Sequence, residues 1–286
     1  MRSRGREAQS ASPATAPSSQ SAEKRVHCAM RNKLTDELAI CGLKASLALA
    51  EFHPETVNRL FMREDRFQMF TQLCKKLAER KRPYKICQDE ELERLCKSVH
   101  HQGVVAMIHE PEIEPLTRDD LELWAAESKT GLMLHEVGNS HNFGAIARAA
   151  AFFDAHFIVV NENDVEARIS TSAYRVAEGG MEHVVVRKIG NTAAFLRDAA
   201  KKIMVVGTDI RARRRIGDLP SIAKELAEAG RARGGIALVL GNEERGLPQD
   251  VKDNCSCLLR IPGTGNIESL NVAQAAALFL REIYDL

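Results

Sequence analysis

The sequence predicts an α/β protein. Its C-terminal half reads as a mostly parallel sheet between helix layers, and a smaller α/β unit precedes it. Three observations carry this reading. Six short runs rich in Val, Ile and Leu recur through residues 130–286, without the polar alternation of half-exposed strands. Such runs mark strands covered on both faces, as in parallel sheets. Segments with helical apolar spacing lie between them. Three polar, glycine-containing segments then follow strand-like runs, where α/β proteins place their binding loops.

Residues 7–22 are low in complexity and lack the apolar side chains that offset chain entropy. Residues 1–33 therefore read as a disordered basic tail, with seven Lys/Arg against two acids, a local net of +5. Residues 34–112 alternate as a small α/β unit. The spacing predicts a helix over 35–49, a strand over 57–62 and an amphipathic helix over 66–80. A strand over 84–87, a helix over 89–99 and a strand over 104–108 follow. Pro111 and Pro115, with acids between them, mark 113–129 as a linker, with a helix or turn over 116–128. Across 130–286, strands are predicted at 131–135, 156–160, 183–187, 203–207, 236–240 and 257–261. Helices are predicted at 142–153, 191–201, 220–229, 248–254 and 269–284.

Bulk composition is that of a soluble globular protein, with 44% hydrophobic and 28% charged residues. Lys+Arg number 40 and Asp+Glu 39, so overall charge announces no polyanionic partner. Basic residues do cluster locally, in the tail and at Arg211, Arg213, Arg214 and Arg215. Either cluster suits phosphate contact or simple solubilising charge. The seven cysteines form no Cys-x-x-Cys pair and fit a reduced, cytoplasmic setting. Cys96, His100 and His101 have helical spacing, but no further Cys/His cluster completes a metal site, and none is expected. The start lacks the apolar core of a secretory signal, and no apolar run approaches a membrane span.

The first polar segment runs from Asn142 to Arg148. Gly144 lies inside a helix, where it costs stability unless a backbone or ligand approaches closely. Arg148 sits among Ala and Ile, a setting from which an arginine reaches a carboxylate or phosphate. The second, Leu240 to Leu247, ends a strand. Gly241 permits a turn, and Glu243 is held near the sheet's carboxyl edge. A plain Gly/Asn turn is the alternative. The third, Ile261 to Ala273, turns through Pro262, Gly263 and Gly265 into Ser269, Leu270 and Asn271. Helix capping alone would need one such polar residue, not a cluster. Gly263-Thr-Gly265 is no dinucleotide fingerprint, because the third glycine position holds Glu268 and no βαβ unit follows. No phosphate-binding Gly-Lys-Ser/Thr loop occurs either.

Together these segments resemble the signature of the SpoU (TrmH-like) branch of the SPOUT RNA methyltransferases. Asn142, Gly144 and Arg148 match its first motif. Gly241, Glu243, Gly246 and Leu247 match the second. Ile261, Pro262, Ser269, Leu270, Asn271 and Val272 match the third. Residues 80–84, 89–92 and 101–104 are similar to an L30e-like RNA substrate-binding domain, and 177–183 resembles the YfiF-like subgroup.

The resemblance implies a trefoil-knotted catalytic domain over 130–286, which periodicity would not suggest. It also implies a homodimer through that domain. The activity implied is methyl transfer from S-adenosylmethionine to a ribose 2′-hydroxyl of rRNA or tRNA. A non-catalytic RNA- or ribosome-binding protein on the same fold is the alternative. Backbone groups at Gly241, Ile261 and Leu270 would hold the donor, joined by Thr208, Asn242, Gly246, Leu247 and Gly263. Arg148 would clamp the target phosphate and polarise the hydroxyl, since guanidinium is rarely deprotonated. Glu243 would orient Arg148. Asn142, Ser269 and Asn271 would position ribose and donor.

Overall fold

The computed structural model describes residues 37–163, 169–230 and 234–286. The expected tail, 1–33, lies outside them.

A four-stranded sheet comes first. It is built of β1 (Glu37–Cys41), β2 (Val57–Met62), β3 (Tyr84–Ile86) and β4 (Val104–His109), in the order β1-β4-β2-β3. β4 runs antiparallel to both neighbours, and β3 lies parallel to β2. Helices α1 (Leu43–Phe52), α2 (Thr71–Glu79) and α3 (Asp89–Cys96) pack around it. The helix expected over 35–49 is a correction: the described part opens as β1, all five residues buried, and only then becomes α1. Leu38, Ala39, Ile40 and Cys41 suit a strand covered on both faces, and Gly42 at φ 101 breaks the chain before the helix. The helix expected over 66–80 is likewise divided, into a 3-10 stretch Glu64–Phe70 and α2.

The second sheet has eight parallel strands. These are β5 (Glu114–Pro115), β6 (Thr130–Leu134), β7 (Ala155–Asn161), β8 (Val185–Ile189), β9 (Met204–Thr208), β10 (Arg214–Arg215), β11 (Ile236–Leu240) and β12 (Cys257–Arg260). Their order is β10-β12-β9-β11-β6-β7-β8-β5. The stretch 113–129 contributes β5, which pairs with β8, and helix α4 (Arg118–Ala126), closed by a Thr117–Asp120 capping box.

Strand periodicity explains the layers. Leu132, Leu134, Ile158, Val160, Met204, Val206, Leu238 and Leu240 point to one face. There they meet α5 (Ser140–Phe152), α6 (Thr171–Ala177), α8 (Leu219–Glu228) and α10 (Val272–Tyr284). Met133, Phe157, Val159, Val205, Ala237 and Val239 point to the other, against α4, α7 (Thr192–Ala199) and α9 (Gln249–Lys252). The first apolar layer continues into the small sheet through Leu38, Ile40, Ala45 and Leu49. Among the described residues no helix is long and apolar enough to cross a membrane.

Candidate active site

The carboxyl ends of β6, β11 and β12 lead into the three polar segments, and β9 ends at Thr208. β11 leads into Gly241, where an added Cβ would lie 2.5 Å from the Gly246 carbonyl carbon. The loop folds back on itself there: Asn242 and Gly246 form a β-bridge, and the Gly246 N–H donates to the Asn242 carbonyl at 2.9 Å. Asn242 Oδ1 accepts from the N–H groups of Glu244 and Arg245, and its Nδ2 donates to the Glu136 carbonyl at 3.0 Å. Gly246 at φ 67 closes the turn, and Leu247 buries its side chain beneath it. The loop is thus rigid, and it presents Glu243 outward.

Glu243 Oε1 accepts from Asn142 Nδ2 at 2.6 Å, across 101 residues of sequence. Asn142 Oδ1 in turn accepts from Asn271 Nδ2 at 2.9 Å. Asn271 Oδ1 accepts from the Ala273 N–H, capping α10. The direction of this relay is dictated by chemistry. An ionised carboxylate only accepts, so Asn142 must turn its NH₂ toward Glu243, which leaves its oxygen for Asn271. Asn271 therefore both caps α10 and fixes the amide of Asn142.

The remaining predicted residues surround the relay or stand apart from it. Ile261 is half-buried at the end of β12. Gly263, Ser269 and Leu270 are exposed on the loop that follows. Thr208, at the end of β9, donates its hydroxyl to the Val239 carbonyl at 3.1 Å. Among the described residues, chain neighbours aside, no heavy atom lies within 4 Å of a Cβ built on Gly246, Gly263 or Gly265, and Ile267 and Leu270 expose apolar side chains on the same loop as Gly263 and Gly265. Open backbone next to apolar side chains is a surface suited to a ligand that is both polar and apolar.

Arg148 is a correction to the expected grouping. It lies six residues after Asn142, which on a helix is about 120° around and about 9 Å along. Its Nη2 pairs with Glu178 Oε2 at 3.1 Å, not with Glu243. The same Oε2 accepts from Lys44 Nζ at 2.7 Å. Those bonds, that to Lys44 first, hold the Glu178 carboxyl below its ordinary range. Sequence reasoning missed Glu178 as a partner, although residues 177–183 stood out as a motif. Gly144 is explained by a close backbone: its Cβ would lie 2.4 Å from the Ala173 carbonyl oxygen of α6. Of the basic cluster, Arg214 pairs with Glu225 at 3.3 Å. Cys96 Sγ donates to the Ser98 carbonyl, and His101 Nδ1 accepts from the Gly103 N–H.

Residues 129–281 match the model of the SpoU rRNA Methylase family, and 39–114 match that for RNA 2′-O ribose methyltransferase substrate binding. The 23S rRNA (guanosine-2′-O-)-methyltransferase RlmB of Acinetobacter baylyi is 30% identical over 249 residues, 84% of this chain and 94% of its own. The uncharacterized tRNA/rRNA methyltransferase YfiF of Escherichia coli O157:H7 is 26% identical over 259 residues, 88% of this chain and 69% of its own. An AdoMet-bound rRNA methyltransferase from Sinorhizobium meliloti superposes with a TM-score of 0.69 at 21% identity, over 88% of each chain. Signature residues joined across three loops, on a parallel sheet of this kind, agree with the family match over more than half the sequence, and the chain belongs to the SpoU rRNA methylase family.

Proposed function

We propose that this chain methylates a ribose 2′-hydroxyl of rRNA or tRNA, with the Glu243–Asn142–Asn271 relay at the centre of its site. The observation that carries the assignment of the site is the relay itself, in which Asn142 bonds two side chains each more than 100 positions away in sequence. S-adenosylmethionine supplies an electrophilic methyl on sulfur, with a neutral thioether as its leaving group. Backbone groups of Gly241, Asn242, Gly246 and Leu247 on one side, and of Ile261, Gly263 and Leu270 on the other, would hold it, with Thr208 at the floor. Asn142, Ser269 and Asn271 would position donor and ribose by hydrogen bonds, and the relay keeps the amide ends from flipping. Arg148 would grip the target phosphate and polarise the hydroxyl, using the guanidinium N–H groups that Glu178 leaves available.

The small α/β unit over 34–112 would bind the substrate RNA, and the same reading includes the threaded C-terminus. Strand order supports threading: β12 lies beyond β9 from β11, and the chain then returns to pack α10 on α5. A homodimer through the C-terminal domain is part of the proposal. Its support is the set of exposed apolar side chains on these elements: Phe152 at the end of α5, Leu278 and Tyr284 on α10, and Leu286 just after it. A cytoplasmic setting accords with the free thiols of Cys41, Cys74, Cys87, Cys96, Cys255 and Cys257.

Two measurements test this together. Titration calorimetry with S-adenosylmethionine should show binding; none would favour the non-catalytic alternative. Transcriptome-wide mapping of 2′-O-methyl sites should lose at least one site in rRNA or tRNA when the gene is deleted. An unchanged map would refute the reaction.

A further inference from the structure

The turn after α6 lies wedged between two helices that belong to different sheets. Glu178 is left-handed at φ 47, and Gly179 follows at φ 99. A Cβ on Gly179 would lie 2.8 Å from Ala48 Cβ of α1. One on Gly180 would lie 2.9 Å from Arg148 Cα and 3.0 Å from the Ala147 carbonyl oxygen of α5. The turn touches α1 on one side and the backbone at Arg148 on the other, with no side chain between. The carboxylate it carries meets one cation of each helix on a single oxygen: it accepts from Lys44 Nζ at 2.7 Å and forms an ion pair with Arg148 Nη2 at 3.1 Å.

From this geometry we infer that Glu178 is a positioning residue for Arg148, and that through Lys44 it ties the guanidinium to the N-terminal unit. The inference rests on the reading that Arg148 acts on the RNA. Stability is a poor motive for the triad. Its side chains are 68%, 36% and 55% exposed, and pairs so exposed contribute about 0–1 kcal/mol. A left-handed non-glycine residue costs about as much. What the triad does provide is orientation. A long, half-exposed side chain is held at one guanidinium nitrogen by the ion pair, on the carboxylate that also takes Lys44. RNA engaged by the N-terminal unit would thus meet an arginine already aimed.

The test uses the full chain, total RNA from a strain lacking the gene, and S-adenosylmethionine labelled on its methyl. Arg148→Ala is the reference for the underlying reading and should be inactive. Glu178→Gln should lower kcat by about tenfold, with donor KM and thermal midpoint unchanged. Glu178→Asp, which keeps the charge, should recover part of that loss. Lys44→Met should lower kcat by about threefold, since it removes the tether but leaves the Arg148 pair. If Arg148→Ala is inactive while Glu178→Gln keeps or exceeds wild-type kcat, the positioning role falls and the reading stands. If Arg148→Ala turns over normally, both fall. A Glu178→Gln loss matched by a falling midpoint would make the residue structural and overturn the inference.

Discussion

Asn142 carries a double duty that few asparagines have, since both ends of its amide are committed to side chains from other loops. Replacing it by aspartate sets two carboxylates against each other at the 2.6 Å contact. Asn142→Asp should therefore lose about tenfold or more in kcat, more than Asn142→Ala, with both readable in one methyl-transfer assay. Equal losses would show that the relay's polarity is irrelevant. Glu243→Ala should lower activity with little change in thermal midpoint, because Glu243 is solvent-exposed. A collapsed midpoint would assign it a structural job. Glu182 behaves differently. Burial raises its carboxyl from 4.5 to about 7, with His53 Nε2 3.7 Å away. The sign follows: the unfolded chain releases this proton before the folded one does. The associated stability is full below about pH 4.5, falls as pH rises to about 7, and is then lost. Glu182→Gln should flatten this slope and unfold at higher denaturant than wild type at pH 8, by about 2 kcal/mol. An unchanged slope would place the pH dependence elsewhere.

Helices and strands were readable from sequence where a single periodicity ran uninterrupted, as in β6, β7, β9, β11 and α10. They were misread where two elements share one apolar stretch. Leu38 to Cys41 and Leu43 to Leu49 scan as one helix, and only Gly42 separates them. Helix α6 went unseen because seven residues, five of them polar or alanine, give no period to detect. Yet α6 explains Gly144, whose missing side chain lets the Ala173 carbonyl approach. Gly144→Ala should cost about 1–3 kcal/mol in a denaturant titration, as overpacked cores do; a smaller loss would mean the helices simply part. The site was half readable in the same sense. Motif residues Asn142, Glu243 and Asn271 met as expected, because each sits next to a strand end or helix start. Arg148 did not join them, because helical pitch carries position 148 around to α6, and only the fold brings Glu178 and Lys44 to meet it.

Across the molecule as a whole, the continuous apolar layer makes the two sheets one body, with the aromatic cluster on α5 and α10 left outside it. Phe152 is 79% exposed, and Phe153 stands edge-on to it and tilted against Tyr284. Light scattering of the full chain should give twice the 31.7 kDa monomer mass, and Phe152→Asp should give one. A wild-type monomer would remove the cluster's proposed partner. Deleting residues 1–33 should reduce the salt dependence of RNA binding, the slope against log salt falling by at least about one. An unchanged slope would clear those residues of phosphate contact.

The strand at the far border of the large sheet has a practical corollary for anyone dividing this protein. Glu114–Pro115 shields β8, and Trp124 of the next helix lies fully buried, its indole N–H donating to the Ile236 carbonyl at 3.1 Å. Glycines at 131 and 235 leave room for that ring, which a Cβ at Gly131 would approach to 2.4 Å. A catalytic fragment begun at residue 130 would carry a naked strand and an indole-shaped hole, and should aggregate. One begun at 113 takes its own border and plug along, and should aggregate less than one begun at 130, although it still uncovers the apolar layer shared with the small sheet.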